Sequence, residues 1–247
     1  MKTTIGLIAT FIFVYLIFVV TQVPANIVFG WFKLPSNVKV GQVSGSVWNT
    51  ELSGVEVNGF AVHNVKTSLS PLSLVTLSPA LDATFGGNLS AGPQGVASAR
   101  LSSDSQTFTD TQVMMAAADI VPYLPVPIPV EAFGQVTLNI EQLETVDGKC
   151  VQVVGTLAWQ GAALIALEQE IELGSFNGSL SCQGDRFALT LDTNNRLGLS
   201  YTASVDLNGR LRGNGYIQPS ADFPAQLREA LPFIGRPDNQ GRYQLKL

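Results

Sequence analysis

Strict alternation between apolar and polar residues is the feature that most constrains how this chain can fold. It is clearest in the segments GQVTLNI (134–140), RFALTLDT (186–193) and LGLSYTASVDL (197–207). Because successive side chains of a strand point to opposite faces, each segment predicts a strand with one buried and one wetted face. The sequence therefore predicts a mainly β protein. We expect a strongly twisted antiparallel sheet, arranged as an open half-barrel or in a sandwich-like way.

Turn-forming dipeptides punctuate the alternating segments. Asn58-Gly59, Asp147-Gly148, Asn177-Gly178 and Asn208-Gly209 can each supply the positive φ angles of a tight hairpin. We therefore expect a hairpin turn at each of these four positions.

The N-terminus departs from the β pattern. Residues 3–32 carry no charge, and Ile5–Val20 is a nearly unbroken apolar run. A helix over residues 5–23 would span the roughly 30 Å hydrocarbon core of a bilayer. Residues 1–4, with Lys2, would then be cytoplasmic, residues 24–34 would form a juxtamembrane linker, and the rest would be exported. A signal peptide cleaved near Val23–Ala25 is the alternative, although the apolar run is longer than usual for one.

The exported part is predicted to be one β domain in two halves, residues 35–119 and 132–247. The proline-rich segment 120–131 joins them, and its alternating prolines favour a stiff extended connector over a central strand; a partner-docking segment is the alternative. In Pro224–Gly235, apolar residues at helical spacing predict one short amphipathic helix. Alternation in the last residues predicts a terminal strand.

The two cysteines, Cys150 and Cys182, both lie in the exported part. An oxidising compartment would let them pair, so we expect a structural disulfide; two separate buried thiols are the alternative.

Catalytic and metal-binding motifs are missing from the sequence. His63 is the sole histidine, and no spacing of Cys, His or carboxylate residues indicates a metal site. A net charge of -5 with only 13% charged residues disfavours nucleic acid as a partner. Glu168, Glu170 and Glu172 alternate on one strand face, which predicts a solvated edge or a surface for a basic partner. The sequence predicts neither an enzyme nor a cofactor.

The order of several segments resembles a known family. After the apolar N-terminus come LPSNVKVGQVSGSVWNTELSG (34–54) and NVKTSLSPLSLVTLSPALDATFGG (64–87), then the two cysteines and a closing LPFIGRPDNQGRYQL. Together these segments resemble the type II secretion system protein N family. The likeness departs from the family pattern at Thr50, where glycine would be usual, and at Thr67, where an aromatic residue would be.

The resemblance implies an accessory, non-enzymatic inner-membrane component of the machine that exports folded proteins across the outer membrane. It would be a single-pass protein with a periplasmic β domain that contacts other secretion components. The anchor and the G-x-V-W segment also look like the start of AsmA-type proteins. That second likeness implies an apolar groove, and hence an alternative function in binding or transferring phospholipid.

Gly45, Trp48 and Trp159 are expected to mark the fold rather than a site. In VSGSVW, Val43, Gly45 and Val47 would share one strand face, and Trp48 would lie on the other with Ser44 and Ser46, unless a bulge at Gly45 shifts the register. Trp48 would then either plug the far side of the sheet or lie near the membrane surface. VVGTLAW, which ends at Trp159, resembles this segment weakly, with the spacing shifted by one residue.

Overall fold

One antiparallel sheet of thirteen strands dominates the computed structural model of the chain. The structure describes residues 2–31, 34, 36–123, 130–166, 169–206 and 210–246. Neighbours in the sheet follow chain order, and its strands are β2 (Gln42–Ser46), β3 (Asn49–Ser53), β6 (Val65–Leu69), β7 (Ala80–Phe85), β8 (Gln94–Leu101), β9 (Ser105–Ala116), β10 (Val130–Val146), β11 (Lys149–Ala166), β12 (Gln169–Gln183), β13 (Arg186–Leu191), β14 (Leu199–Val205), β15 (Leu211–Ile217) and β16 (Tyr243–Lys246). Because β2 and β16 lie at opposite edges, the sheet is open over the described residues.

A second sheet of three short antiparallel strands combines one strand that precedes β2 with a hairpin inserted between β3 and β6. It contains β1 (Val38–Lys39), β4 (Val55–Val57) and β5 (Phe60–Val62). The helices are short except for the first, and they are α1 (Lys2–Thr21), α2 (Ala25–Phe29), α3 (Pro71–Val75), α4 (Ala117–Ile120), α5 (Ala225–Arg228) and α6 (Leu231–Ile234). The predicted mainly β antiparallel fold is confirmed.

The predicted hairpin turns have three different outcomes. Asn58-Gly59 joins β4 to β5 and Asp147-Gly148 joins β10 to β11, each with two positive φ angles, so both predictions are confirmed. The prediction at Asn177-Gly178 is wrong, because both residues lie inside β12. A Cβ at Gly178 would press on the side chains of Leu189 and Leu191, so this glycine makes room for the neighbouring strand. Asn208-Gly209 lies outside the described residues.

The longest strands bend along a line of glycines. Gly134, Gly161 and Gly174 lie in three neighbouring strands, β10 to β12, and all have positive φ. Register shifts occur at these glycines, and extra residues of this kind bend a strand and increase its twist. A Cβ at Gly134 would collide with the carbonyl groups of the next strand, so the close approach requires glycine.

The main apolar core lies at that bend. Ala162, Ile171, Leu173 and Phe176 are buried together, and Leu227 from α5 packs against them. Among the described residues, Leu173 is the one large side chain that is fully buried. The accessible surface is 15918 Å², whereas a compact chain of 26.3 kDa would expose about 10,600 Å². Part of this excess comes from α1, whose apolar side chains are exposed, but much of the sheet also lacks a thick core.

The predicted membrane helix falls on α1. Over the residues that the structure describes, no helix combines the length and the apolarity needed to cross a membrane, and the predicted span over residues 5–23 is unconfirmed. Residues 24–34, the predicted linker, include α2, which packs on β2 through the buried Ala25.

The prediction of a single amphipathic helix over Pro224–Gly235 is wrong, because the helix is interrupted. The segment forms α5 and α6, with Pro232 in the first turn of the second helix. Leu231 is buried, but Ile234 is exposed. Proline inside a helix removes a backbone hydrogen bond and clashes with the preceding turn, which explains the break. The predicted terminal strand is present as β16.

The proline-rich connector is only partly described. Its first residues end α4 and form a short 3-10 turn at Val121–Tyr123, and its last two begin β10. Residues 124–129, with three of its prolines, lie outside the described residues.

Candidate binding surfaces

A single apolar face runs across the whole large sheet. Residues directly opposite each other on neighbouring strands point to the same face, so the register assigns each side chain to a face. One such row runs from β7 to β13 through Phe85, Gly95, Val113, Leu138, Leu157, Gly178 and Leu191. In the N-terminal strands, Val43, Leu52 and Val65 continue it.

The opposite face is polar from β9 to β16. A row on this face runs from β9 to β16 through Gln112, Asn139, Thr156, Ser179, Thr190, Thr202, Asn214 and Lys246. Gln112 donates from Nε2 to Oδ1 of Asn139 at 2.8 Å. The predicted division into an apolar and a polar side therefore holds over most of the sheet.

Different elements cover the two halves of the apolar face. In the C-terminal half, the buried residues of β11 and β12 pack against Leu197, Leu199 and, in α5, Leu227. In the N-terminal half, the small sheet faces β6, β7 and β9 and leaves an apolar groove of about 310 Å³. Its lining is Val55, Val57, Asn58, Phe60, Val62, Val65, Phe85, Pro93, Val113 and Met115. Since Asn58 is the one polar side chain in this lining, the groove suits an apolar occupant.

Trp159 lies at the bend of the long strands. Its indole ring stacks on Phe176 with ring centroids 5.5 Å apart, and its Nε1 donates to the carbonyl of Phe133 at 2.9 Å. Phe133 precedes the bulge at Gly134, so one side chain joins the core to the backbone of the bend. That Trp159 marks the fold stays a prediction, and this geometry favours it.

Gly45 and Trp48 lie at a corner of the sheet. Gly45 has a φ of +85°, and a Cβ there would collide with the carbonyl oxygen of Asn49. Val47 and Trp48 form the turn between β2 and β3, so the placement of both in one continuous strand is wrong. The carbonyl of Trp48 accepts a hydrogen bond from the N–H of Leu69 at 3.0 Å. The half-buried tryptophan thus belongs to the end of the sheet rather than to either face.

Thr50 and Thr67, the two departures from the family pattern, are directly opposite each other on β3 and β6. Thr50 is 8% exposed, and its hydroxyl donates to the carbonyl of Ser46 at 2.9 Å. In the family pattern, a glycine at position 50 would lie opposite an aromatic residue at position 67, and an aromatic ring next to a glycine of the neighbouring strand is known to stabilise sheets. This chain has a threonine at both positions instead.

The predicted acidic surface is only partly described. Glu168 lies outside the described residues, while Glu170 and Glu172 are exposed on β12 where β13 does not pair with it. They line a polar cleft of about 490 Å³ with Arg196, Asp222 and the start of α5. Arg196 donates from Nη1 to the backbone carbonyl of Glu172 at 2.9 Å. This hydrogen bond gives a partner to a backbone carbonyl in the part of β12 that does not pair with β13.

The disulfide between Cys150 and Cys182 is present and joins β11 to β12, with the Cα atoms 5.7 Å apart. Among the described residues, no group of three or more His, Cys, Asp or Glu side chains could hold a metal ion. His63 is exposed beside Gly86, whose N–H donates to the carbonyl of His63.

Comparisons with known proteins identify the same family over nearly the whole chain. The model of the family described as type II secretion system (T2SS), protein N, matches residues 36–246, which contain the sixteen strands found in the described part of the chain. Proteins named type II secretion system protein N are similar over their full length. The one from Vibrio cholerae serotype O1 is 25% identical over 98% of this chain and 97% of its own. Those from Aeromonas hydrophila and Klebsiella pneumoniae are 26% and 27% identical, over 100% and 98% of this chain and 98% and 93% of theirs. No solved structure matches the chain.

Proposed function

This chain belongs to the type II secretion system protein N family, and from that premise we propose that it is a non-enzymatic accessory component of this secretion machine. In this proposal α1 anchors the chain in the bacterial inner membrane with a single pass. The sheet lies in the periplasm, where it acts as a structural and interaction module in the export of folded proteins.

The anchor is supported by the sequence of α1, which carries no charge after Lys2, and by its surface. Large apolar side chains on this helix are exposed, among them Leu7, Phe11, Val14 and Phe18. Exposed apolar side chains over several turns suit lipid better than water. The disulfide supports export, because such bonds persist in oxidising compartments.

The open edge at β16 is the observation that carries the interaction role. β16 pairs with β15 on one side, and no described strand pairs with its other side. The opposite edge is different, because the carbonyl of Val23 accepts the N–H of Val47 and Pro24 bridges to Ser46. An open edge offers unpaired backbone groups to an added strand, a known mode of partner recognition. We therefore assign the contact with other secretion components to β16.

Site-specific photocrosslinking in secreting cells tests this assignment. A photoreactive amino acid at Gln244 in β16 should capture another secretion component. The matched control is the same amino acid at Gln112, which is exposed on the polar face in the middle of the sheet. Failure to capture a secretion component at position 244, or equal capture at both positions, would contradict the role of this edge.

The apolar groove favours a second candidate function, which is binding or transfer of a phospholipid. The groove is open and its lining is almost entirely apolar, so an acyl chain could lie between the small sheet and the large one. Mass spectrometry of the gently purified full-length protein should then find phospholipid in stoichiometric amounts.

A pair of neighbouring substitutions makes this test specific. Val113→Trp adds bulk inside the groove, whereas Met114→Trp adds the same bulk on the opposite face of β9. If lipid occupies the groove, the first variant should lose it and the second should retain it. Lipid that is lost from neither variant is bound elsewhere, and absence of lipid from the wild type removes this second candidate.

A further inference from the structure

The loop between β6 and β7 exposes its large apolar side chains. We call residues 70–79 the apolar loop; it contains α3. Leu72, Val75 and Leu77 in this loop are 76%, 78% and 85% exposed. No residue from 67 to 81 is charged. Such a cluster on the surface of a protein indicates a contact with an apolar partner or a membrane.

The loop is held in shape by its own polar groups. The Ser73 hydroxyl donates to the carbonyl of Ser70 at 2.6 Å and accepts the N–H of Ala80 at 2.8 Å. The N–H of Leu77 donates to the carbonyl of Leu74 at 3.1 Å, and the N–H of Ser78 to that of Ser73. These bonds satisfy the backbone without help from the apolar side chains, which are left facing outward.

The loop lies at the corner of the sheet where α1 joins it. Two residues after the end of α1, the carbonyl of Val23 accepts the N–H of Val47 in the β2–β3 turn, at 3.0 Å. The next residue of that turn, Trp48, accepts the N–H of Leu69, the last residue before the loop, also at 3.0 Å. Since neighbouring strands are about 4.8 Å apart, β6 lies only about 10 Å from β2.

We infer that the apolar loop is a second membrane contact, in which Leu72, Val75 and Leu77 insert into the bilayer surface next to α1. This inference rests on the proposed anchoring by α1, which would hold this corner of the sheet at the membrane. The absence of charge indicates that the contact depends on apolar burial and not on anionic lipids. Two contacts with the membrane, one through α1 and one through the apolar loop, would also fix the direction of the strands relative to the membrane surface.

Spin labelling of the full-length protein in lipid vesicles tests the contact. The chain has two cysteines and both are in the disulfide, so a cysteine introduced at Leu77 is uniquely reactive. A nitroxide at this position should collide more with oxygen and less with a water-soluble nickel chelate than one at Ser90, which is exposed at the other end of the strands. A third label at Ile12 in α1 reports on the anchor itself.

The outcomes separate the loop from the anchor. If the label at position 12 is in lipid while those at positions 77 and 90 are equally accessible to nickel, the loop does not contact the membrane and the anchor stands. A label at position 12 in water would refute the anchor. Shielding of position 77 from both reagents would mean that protein covers the loop, which also overturns the inference.

Removal of apolar surface gives a second readout. With the label at position 77, Leu72→Ser should shift the equilibrium from lipid to water by at least about tenfold, because burial of one such side chain is worth well over a factor of ten. Ser103→Ala, in the exposed turn between β8 and β9 at the same end of the strands, is the control and should change nothing. Added salt, or replacement of anionic by zwitterionic lipid, should leave the label's environment unchanged. A large salt effect would overturn the apolar basis of the contact.

Discussion

Trp159 allows the energetics of the bend to be tested with two substitutions. Trp159→Phe keeps an aromatic ring against Phe176 but removes the hydrogen bond to the carbonyl of Phe133. A neutral hydrogen bond of this kind contributes about 1 kcal/mol to stability. We therefore expect Trp159→Phe to lower the free energy of unfolding by about 1 kcal/mol.

Trp159→Ala also removes the ring. A fully buried Trp→Ala change costs about 3 to 5 kcal/mol, and the stacked pair adds about 1 kcal/mol to the burial of its area. Because Trp159 is only half-buried, we expect a smaller total loss than for a fully buried tryptophan, about 2 to 3 kcal/mol.

Urea unfolding of the full-length protein in detergent, followed by circular dichroism of the strands, measures both changes. Trp31 is the matched control, since it is 77% exposed and its replacement by Phe or Ala should change stability by less than about 0.5 kcal/mol. If Trp159→Ala behaves like the Trp31 variants, the core at the bend does not stabilise the sheet. If Trp159→Phe costs nothing, the hydrogen bond does not support the bend.

Three further changes test other parts of the sheet. Replacing Cys150 and Cys182 with Ala should lower the free energy of unfolding by about 3.7 kcal/mol in urea, from the chain-entropy model applied to their separation of 32 residues; a loss below about 1 kcal/mol would show that the closed loop is not the source of stability. Thr67→Phe should destabilise the sheet because its ring would press on the buried Thr50, and Thr50→Gly should relieve it; the coupling free energy from the double-mutant cycle should be about 0.5 to 3 kcal/mol, and additive effects would contradict their contact. The backbone N–H of Arg242, followed by that of Gln240 and by the Arg242 side chain, lowers the pKa of Asp238 to about 2, so the stabilising effect of this carboxylate is fully present above its ordinary pKa and is lost as pH falls through about 2. The stability difference between the wild type and Asp238→Asn should therefore be largest above about pH 4 and fade toward pH 2. A difference that does not vary with pH would refute this role of Asp238.

The sequence predicts the faces of the strands better than it predicts their ends. Alternation is set by the backbone, because successive side chains of any strand point in opposite directions, and the register preserves this from strand to strand. Ends depend on what each residue contacts. Asn177-Gly178 has the composition of a turn, but its glycine instead admits two leucines of the neighbouring strand. Val47 and Trp48 directly follow the residues of a strand and nevertheless form the turn between β2 and β3.

The candidate sites could be predicted only in part for a related reason. Alternation shows that a strand has an apolar face but not which part of the molecule covers it. The groove depends on β4 and β5, whose pairing places Val55 and Val62 opposite Val113 across a gap. In the same way, the sequence SLSPLSLVTLSP does not show whether its apolar side chains are buried, and only the structure shows that Leu72, Val75 and Leu77 face outward.

The apolar face is covered differently in the two halves of the sheet. Substitutions in each half should therefore affect a different property of the protein. In the C-terminal half, glycine bulges bend the strands so that the chain covers its own face, and Leu173 and Phe176 are buried by residues of the same half. Substitutions there should act on stability, and on secretion only through the amount of folded protein. In the N-terminal half, the groove leaves apolar surface free between the two sheets, and the apolar loop leaves apolar surface free beside the end of α1. Because these exposed side chains contribute little to folding, substitutions such as Leu72→Ser should preserve stability while changing what the protein binds. The half of the sheet nearest the proposed anchor is therefore the half that can exchange water for lipid or for a partner.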